Sequence, residues 1–335
     1  MKTTKKILVA LAAVAGLVSV NAHAALMSFQ TYTGSVGVST DGWGSTTSVG
    51  TIQASVPFGS TVLAAYLYTS TFGGLSGAGG TLAGLGVTYA GLGVNGPACC
   101  TLEAGRADVT SIIKPLIDGG PGGVYTFGIT EAARAQDGEA LVVVFSNPTL
   151  GTSTVGILDG WASVTGDTTS VNFTSPLHPA APGFKATMAL GIGFSFDFIG
   201  CTGSIQTSEV TVNGTTITRN AGCNDDSADF TPANSNLITV GSFDDPFSPL
   251  LPLTAADHEF YNLVSQITDG DTTITVKNTN ASKDDNIFLA VFDVTGVAGI
   301  DEPPPSNNAP EPTSLALAGL ALAGLAAQRR RARSA

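Results

Sequence analysis

The chain has 335 residues, of which 14 are Lys or Arg and 26 are Asp or Glu, giving a formal net charge of −12 at pH 7. A chain this acidic repels nucleic acid and anionic lipid headgroups, so the composition argues against both as stable partners. The 41 glycines and the low share of charged residues, 12%, are typical of short strands joined by tight turns.

Residues 1–24 have the pattern of a secretory signal peptide. Three lysines precede an apolar core at residues 7–20, and the small residues Ala22 and Ala24 follow at the positions that signal peptidase accepts. A buried N-terminal helix is the alternative, but the apolar core has no amphipathic pattern. The sequence therefore predicts export and cleavage after Ala24.

Most of the chain between residues 25 and 300 is predicted to form β-strands. Residues 140–147 are apolar on both faces, which indicates a central strand. Residues 186–198 alternate strictly, with Met188, Leu190 and Ile192 on one face, and predict a long strand with one face buried. Gly, Pro and Asn-Gly signals separate further segments of this kind. We therefore expect an all-β fold in β-sandwich or jelly-roll-like layers.

Two stretches are predicted to form short helices. The first covers residues 107–117, where Asp108 is a capping residue and Pro115 limits the length. The second covers residues 257–267, whose apolar side chains recur at the spacing of one helical face.

The only two tryptophans lie in a repeated pattern. Val-Gly followed by Asp-Gly-Trp occurs at residues 36–43 and again at residues 155–161. A duplicated β unit and two independent Asp-Gly turns both explain the pattern. We expect one β-sandwich body at residues 25–300, or two packed lobes at residues 25–165 and 166–300, followed by a Pro-rich linker at residues 301–309.

Four cysteines allow disulfides once the protein is exported. Cys201 and Cys223 flank a predicted hairpin with an Asn-Gly turn, so a bridge between them would close the open end of that hairpin. Cys99 and Cys100 would then pair with each other or stay reduced. The alternative pairs each of them with Cys201 or Cys223.

An acidic segment after this hairpin is a candidate calcium site. Asp225, Ser227 and Asp229 have a spacing that lets alternate oxygens converge on one cation, with Asp226 beside them. Phe230 occupies the place where an EF-type loop needs glycine, so the segment is not an EF-hand. Acids at turns are also commonly solvated or bound to backbone amides, and that alternative stays open. No other cofactor is expected.

Signatures of enzymes are largely missing from the sequence. The glycine pattern at residues 91–96 leads into Pro97, so the helix that a dinucleotide fold needs does not follow. After export only His178 and His258 remain, so few histidines are available to activate a Ser or Cys nucleophile. We therefore expect a noncatalytic protein.

The C-terminus has three parts in order: a Pro-Glu-Pro motif, an apolar run at residues 315–327 and an arginine cluster. As a helix the run would rise roughly 20 Å, which is too short to cross about 30 Å of hydrocarbon. The motif is Pro310, Glu311 and Pro312, and the cluster includes Arg329, Arg330 and Arg331.

Residues 310–335 resemble the PEP-CTERM sorting signal of Gram-negative bacteria. The resemblance implies that the tail holds the protein in the inner membrane only transiently, until an exosortase acts near the Pro-Glu-Pro motif. It also implies association with exopolysaccharide and biofilm matrix. An ordinary single-span anchor is the alternative.

The body resembles a domain of unassigned function from adhesin-like surface proteins of bacteria and archaea. The resemblance spans residues 55–296 and rests on segments such as TVLAAYLYTSTF, GEALVVVFSNPT and NIFLAVFDVTG, in that order. It implies an all-β extracellular module and brings no catalytic residues.

Together these features predict an exported protein of the cell surface or extracellular matrix, adhesin-like or structural in role. Its expected partners are signal peptidase and exosortase during export, then extracellular polysaccharide or other matrix proteins. The alternative function is a lectin or a hydrolase that acts on the polysaccharide through its acidic clusters.

Overall fold

The computed structural model describes residues 26–44, 47–94, 102–132, 136–163, 166–193, 208–222, 259–280 and 286–301. The first half of the described chain contains β1 (Leu26–Gly34), β2 (Val36–Trp43), β3 (Val49–Val56), β4 (Thr61–Phe72), β5 (Gly80–Leu82), β6 (Leu85–Val87), β7 (Ala90–Val94), β8 (Leu102–Asp108), helix α1 (Thr110–Ile117), β9 (Gly123–Glu131) and β10 (Gln136–Ser146). The second half contains β11 (Ser153–Gly160), β12 (Asp167–Phe173), β13 (Ala186–Gly193), β14 (Ser208–Val212), β15 (Thr215–Ala221), β16 (Phe260–Asn262), a 3₁₀ helix (Val264–Gln266), β17 (Thr273–Asn280), β18 (Asn286–Thr295) and β19 (Ala298–Ile300).

These strands form four antiparallel sheets. Outer sheet 1 has the order β3-β9-β5-β6, and inner sheet 1 has the order β2-β10-β4-β8-β7. Inner sheet 2 has the order β1-β11-β18-β13-β16, and outer sheet 2 has the order β15-β14-β17-β12-β19. The predicted all-β fold is confirmed.

The two halves repeat one strand order. Eight strands are counted in each half: β2 to β10 without β7 in the first, and β11 to β18 in the second. In one sheet of each half, the first strand lies beside the eighth, followed by the third and the sixth: β2-β10-β4-β8 and β11-β18-β13-β16. The other sheet places the second beside the seventh, fourth and fifth: β3-β9-β5-β6 and β12-β17-β14-β15. This is jelly-roll order, with β1, β7 and β19 added at sheet edges.

The repeat favours a duplicated unit as the explanation of the two tryptophan patterns. Trp43 ends β2 and Trp161 directly follows β11, the first strand of each half. The repeated halves do not coincide with the ranges 25–165 and 166–300, because β11 belongs to the second half. The domain limits themselves stay a prediction.

Three apolar cores separate the four sheets. Ile52, Ile129 and Leu141 are among the residues that fill the space between outer sheet 1 and inner sheet 1. A second core joins the two inner sheets, and a third joins inner sheet 2 to outer sheet 2. The sheets are therefore stacked in four layers.

The pattern of apolar residues in a strand depends on the layer in which that strand lies. In β10, Leu141 and Val143 point into the first core, whereas Val142 and Val144 point into the second. Both faces of this inner strand are buried, as its continuous apolar run predicted. The outer strand β12 instead alternates between buried and more exposed residues.

The prediction for β13 was right about one face and wrong about the other. Met188, Leu190 and Ile192 fill the third core as expected. The opposite face was expected to be exposed, but it packs against inner sheet 1. This face carries small residues, including Ala189 and Gly193, which allow the two inner sheets to approach closely.

Among the described residues, one of the two predicted helices is present. α1 forms with Pro115 inside it, and Asp108 Oδ1 accepts a hydrogen bond from Thr110 N–H at 2.9 Å. The second helix prediction, for residues 257–267, was wrong at Phe260–Asn262. That stretch is β16, which pairs with β13 at the edge of inner sheet 2, and a 3₁₀ helix follows. Pairing with a sheet edge outweighed the helical spacing of the sequence.

The predicted Asn-Gly hairpin is confirmed. β14 and β15 are joined by Asn213 and Gly214, whose φ angles are 49° and 79°. Positive φ at both turn residues fits the right-handed twist of the paired strands, and these residue types tolerate it.

The close approach of the inner sheets predicts that Gly193→Ala destabilises the fold. A Cβ at Gly193 would lie 2.6 Å from Ser70 Cβ on β4 of the other inner sheet. We expect a loss of about 1–3 kcal/mol in the free energy of unfolding, measured by denaturant titration. Gly128→Ala is the matched control, because a Cβ at this strand glycine meets nothing within 4 Å. Equal effects of the two substitutions would contradict the packing account.

Candidate functional site

The site residues predicted from the sequence lie outside the described part of the chain, so their placement stays a prediction. They are Ala22, Ala24, Cys99, Cys100, Cys201, Cys223, Asp225, Asp226, Asp229, Pro310, Glu311, Pro312, Arg329, Arg330 and Arg331.

The described residues contain neither a metal-binding cluster nor a membrane-spanning helix. There, no group of three or more His, Cys, Asp or Glu side chains could hold a metal ion. No helix in the same residues is both long enough and apolar enough to cross a bilayer.

His178 and Glu259 both have partners that explain them as structural residues. His178 Nδ1 lies 2.8 Å from Asp269 Oδ1, and both side chains are exposed. Glu259 is buried, and its carboxylate accepts hydrogen bonds from Gly222 N–H at 2.9 Å and from the Tyr261 hydroxyl. His258 lies outside the described residues.

One polar cluster joins the two inner sheets. Arg106 on β8 forms an ion pair with Asp159 on β11, and the Tyr68 hydroxyl donates to Asp159 Oδ2 at 3.1 Å. The Arg106 guanidinium also lies 3.4 Å from the ring centroid of Phe29. Burial raises the pKa of Asp159, and Arg106 opposes that shift. Because the charges are paired and largely covered, the cluster fixes the relative position of the sheets.

Two carboxyl groups lie close together at one end of the first half. Glu131 Oε1 accepts from Gly138 N–H at 2.9 Å, and Glu139 Oε1 accepts from Gln136 Nε2 at 3.0 Å. Burial raises the pKa of Glu131 to about 7. Burial, followed by the charge of Glu131, raises the pKa of Glu139 well above its ordinary value. Glu139 is fully buried and has no access to a large substrate.

A cleft lies where the first half meets the second. It has a volume of about 310 Å³ and is bordered by β2, β3, β13, β16, β18 and the residue before β13. Its charged residues are Lys185 and Asp293, which form an ion pair. Its hydroxyl groups come from Ser39, Thr40, Ser55 and Thr187, and its apolar wall comes from Val38, Ala189, Phe260 and Val291.

Asp293 is a buried acid in the wall of this cleft. Only 5% of the residue is exposed, and its Oδ2 accepts from the Lys185 ammonium. Its Oδ1 is buried as well, and the backbone N–H of Val38 on β2 forms a further hydrogen bond to this carboxylate. Burial raises the pKa of Asp293, and Lys185 lowers it.

Sequence reasoning missed this cleft, although one local signal was available. Asp293 interrupts the apolar run of β18, where an acid must be paired if the strand is buried. Its partner Lys185 is 108 residues away in the sequence, so only the strand order brings the two together.

Comparison with known proteins identifies the tail. Residues 308–331 match the family model of the PEP-CTERM protein-sorting motif. No curated protein and no solved structure matches the chain. The motif indicates that the protein is exported and sorted by an exosortase to the cell surface or beyond. The adhesin-like resemblance of residues 55–296 stays a prediction.

The raised carboxyl pKa values predict that stability falls as pH rises. Glu131 has an ordinary pKa of 4.5 and a folded-state pKa of about 7, so the folded protein keeps a proton that the unfolded chain releases. Stability from this group is complete below pH 4.5 and is lost as pH rises through about 7. Glu139 acts in the same direction. We therefore expect the melting temperature to fall between pH 5 and pH 8.

Glu139→Gln should reduce that fall, because it removes a carboxyl group whose pKa burial raises well above its ordinary value. Glu209→Gln is the control, since Glu209 is a surface carboxylate beside Arg219. An unchanged pH dependence in Glu139→Gln would show that this pair does not govern stability.

Proposed function

We propose that this chain is a noncatalytic component of the extracellular polysaccharide matrix, with an adhesin-like or structural role. The observation that carries the proposal is the PEP-CTERM motif at residues 308–331, which follows a large β body. Signal peptidase and exosortase act on the protein during export, and its contact with the inner membrane is transient. Matrix polysaccharide or other matrix proteins are its lasting partners.

The body suits a structural role because the strands in the middle of its stack are buried. The central strands of both inner sheets are buried on both faces, and strands of the outer sheets alternate buried with more exposed residues. A stack of this kind offers few sites for local opening, which is favourable for a protein that must persist outside the cell.

The described polar groups support the noncatalytic part of the proposal. Glycosidases use two carboxyl groups on either side of an accessible substrate. The cleft contains one carboxyl group among its described lining residues, that of Asp293. The Glu131–Glu139 pair provides two, but Glu139 is completely buried.

The export route is tested by fractionating the native host with and without its exosortase. With the enzyme present, we expect protein in the matrix that begins near Ala25 and ends close to Pro312. Without it, the protein should stay in the membrane fraction with its C-terminal arginines intact. Intact mass distinguishes the two forms, and matrix protein that retains Arg329–Arg331 would contradict the proposed route.

Substitution of the motif gives a matched comparison. Alanine at Pro310, Glu311 and Pro312 should block release, whereas alanine at Pro303, Pro304 and Pro305 of the linker should not. The purified protein should also release no new reducing ends from the host's matrix polysaccharide. Release that scales with protein concentration would contradict the noncatalytic role.

A further inference from the structure

We propose that β1 is an assembly edge, along which two copies of this chain pair as antiparallel strands. A second copy would be one of the matrix proteins that the body contacts, so this pairing rests on the proposed function. The edge lies apart from the cleft beside Lys185 and does not involve the acidic segment at residues 225–229.

One side of β1 has no neighbouring strand among the described residues. β1 is the outermost strand of inner sheet 2 and pairs with β11 on its other side. Apart from this ladder, its backbone forms one hydrogen bond to the described residues, from Leu26 N–H to Asp167 Oδ2 at 3.3 Å. The N–H and C=O groups along the outer side of the strand are therefore open to a further strand.

β1 is accessible to another molecule. Five of its nine residues are exposed: Met27, Ser28, Gln30, Thr31 and Thr33. Neighbouring residues of a strand point to opposite faces of the sheet, so exposure at both Gln30 and Thr31 shows that the strand is accessible from both faces.

The other long edge strands of the described sheets are protected against such pairing. On β3, the Gln53 N–H donates to Asp41 Oδ2 of β2 at 2.6 Å, and on β2 the Val38 N–H binds the Asp293 carboxylate. On β15, Arg219 places a charge on the edge. Satisfied backbone groups and edge charges both discourage the addition of a strand.

The remaining edge strands are short. β6, β16 and β19 have three residues each, and β7 has five, two of which are glycines. β1 has nine residues and contains neither a charged residue nor proline. Its register shifts between Ser28 and Gln30, but residues 30–34 pair regularly with β11. Among the described strands, β1 is thus the long edge without charge, proline or a covering side chain.

Charge favours a second copy in the antiparallel sense. The chain has a net charge of −12, so two copies repel each other except where a contact surface is uncharged, as β1 is. Asp167 binds the first residue of β1, and Asp301 binds Ser170 of the same strand β12. A parallel pair would bring these acids together. An antiparallel pair centred on Tyr32 separates them by roughly 40 Å, which is several Debye lengths.

Self-pairing suits this edge better than pairing with the linker that follows Asp301. Pro303, Pro304 and Pro305 have no N–H to donate, so the linker cannot complete a ladder. Antiparallel pairing of β1 with itself satisfies both copies at once, as in a two-fold dimer. One pair of short strands is smaller than the roughly 1,200 Å² that stable interfaces bury, so we expect a weak dimer that forms where the protein is concentrated.

Sedimentation equilibrium of the processed protein tests the pairing directly. We expect monomer near about 1 µM and a growing share of dimer towards about 1 mM. Over the same range, amide hydrogen exchange at residues 30–34 should slow by about threefold or more, because the second strand protects these groups. This measurement needs no substitution.

Charge variants test where the copies meet. In a pair centred on Tyr32, residue 31 lies opposite residue 33 of the other copy. Thr31→Lys with Thr33→Lys, and Thr31→Glu with Thr33→Glu, should each weaken dimerisation by about tenfold, because like charges then face each other. An equimolar mixture of the two variants should restore the dimer as a mixed pair.

Thr51→Lys with Thr126→Lys is the matched control. Both threonines are exposed on outer sheet 1, and the substitutions change the net charge by the same amount as the lysine pair on β1. This variant should dimerise as the unsubstituted protein does. Thermal melting checks that each variant is folded.

Four results would overturn the proposal: monomer at the highest concentration, dimerisation unaffected by both β1 variants, a mixture that stays monomeric, or a dimer that the control variant abolishes. Protection of residues 30–34 that appears only when matrix extract is added would also overturn it, because the partner would be a different molecule. None of these results would alter the fractionation result, so a failure here is distinguishable from a failure of the proposed export and matrix location.

Discussion

The fold depends on the burial of the central strands of the two inner sheets, which have no face exposed to solvent. Strands such as β10 and β11 are buried along nearly their whole length, so each inner sheet must be covered on both sides. One side is covered by the outer sheet of the same half and the other by the inner sheet of the opposite half. Neither repeated half can therefore bury its apolar surface completely without its neighbour. Small residues at the shared face, such as Gly193 against Ser70, allow the contact to be close.

The polar groups within this stack are explained by the same constraint. A charge between packed sheets is unfavourable unless it is paired, and Arg106 with Asp159 forms such a pair across the inner sheets. The indole of Trp161 adds a hydrogen bond at 2.6 Å to the carbonyl oxygen of Gly93 on inner sheet 1. The Lys185–Asp293 pair is a second example, in which the backbone N–H of Val38 on inner sheet 1 also binds the carboxylate.

The sequence predicted the features that depend on local pattern. Alternation and continuous apolar runs revealed most strands, and the Asn-Gly turn and α1 were correct. The sorting motif was also recognisable because its three parts are contiguous. The second helix and the second face of β13 were mispredicted, since a sheet edge and an opposing sheet decided them. The cleft was missed because Lys185 and Asp293 meet only through the order of β13 and β18.

The central claim is that the two jelly-roll halves unfold together, because they share the core between the inner sheets. Differential scanning calorimetry of the processed protein tests this claim most directly. A shared core predicts one transition whose calorimetric enthalpy equals its van't Hoff enthalpy. Two resolved transitions, or a calorimetric enthalpy about twice the van't Hoff value, would show that the halves fold independently and would contradict the account.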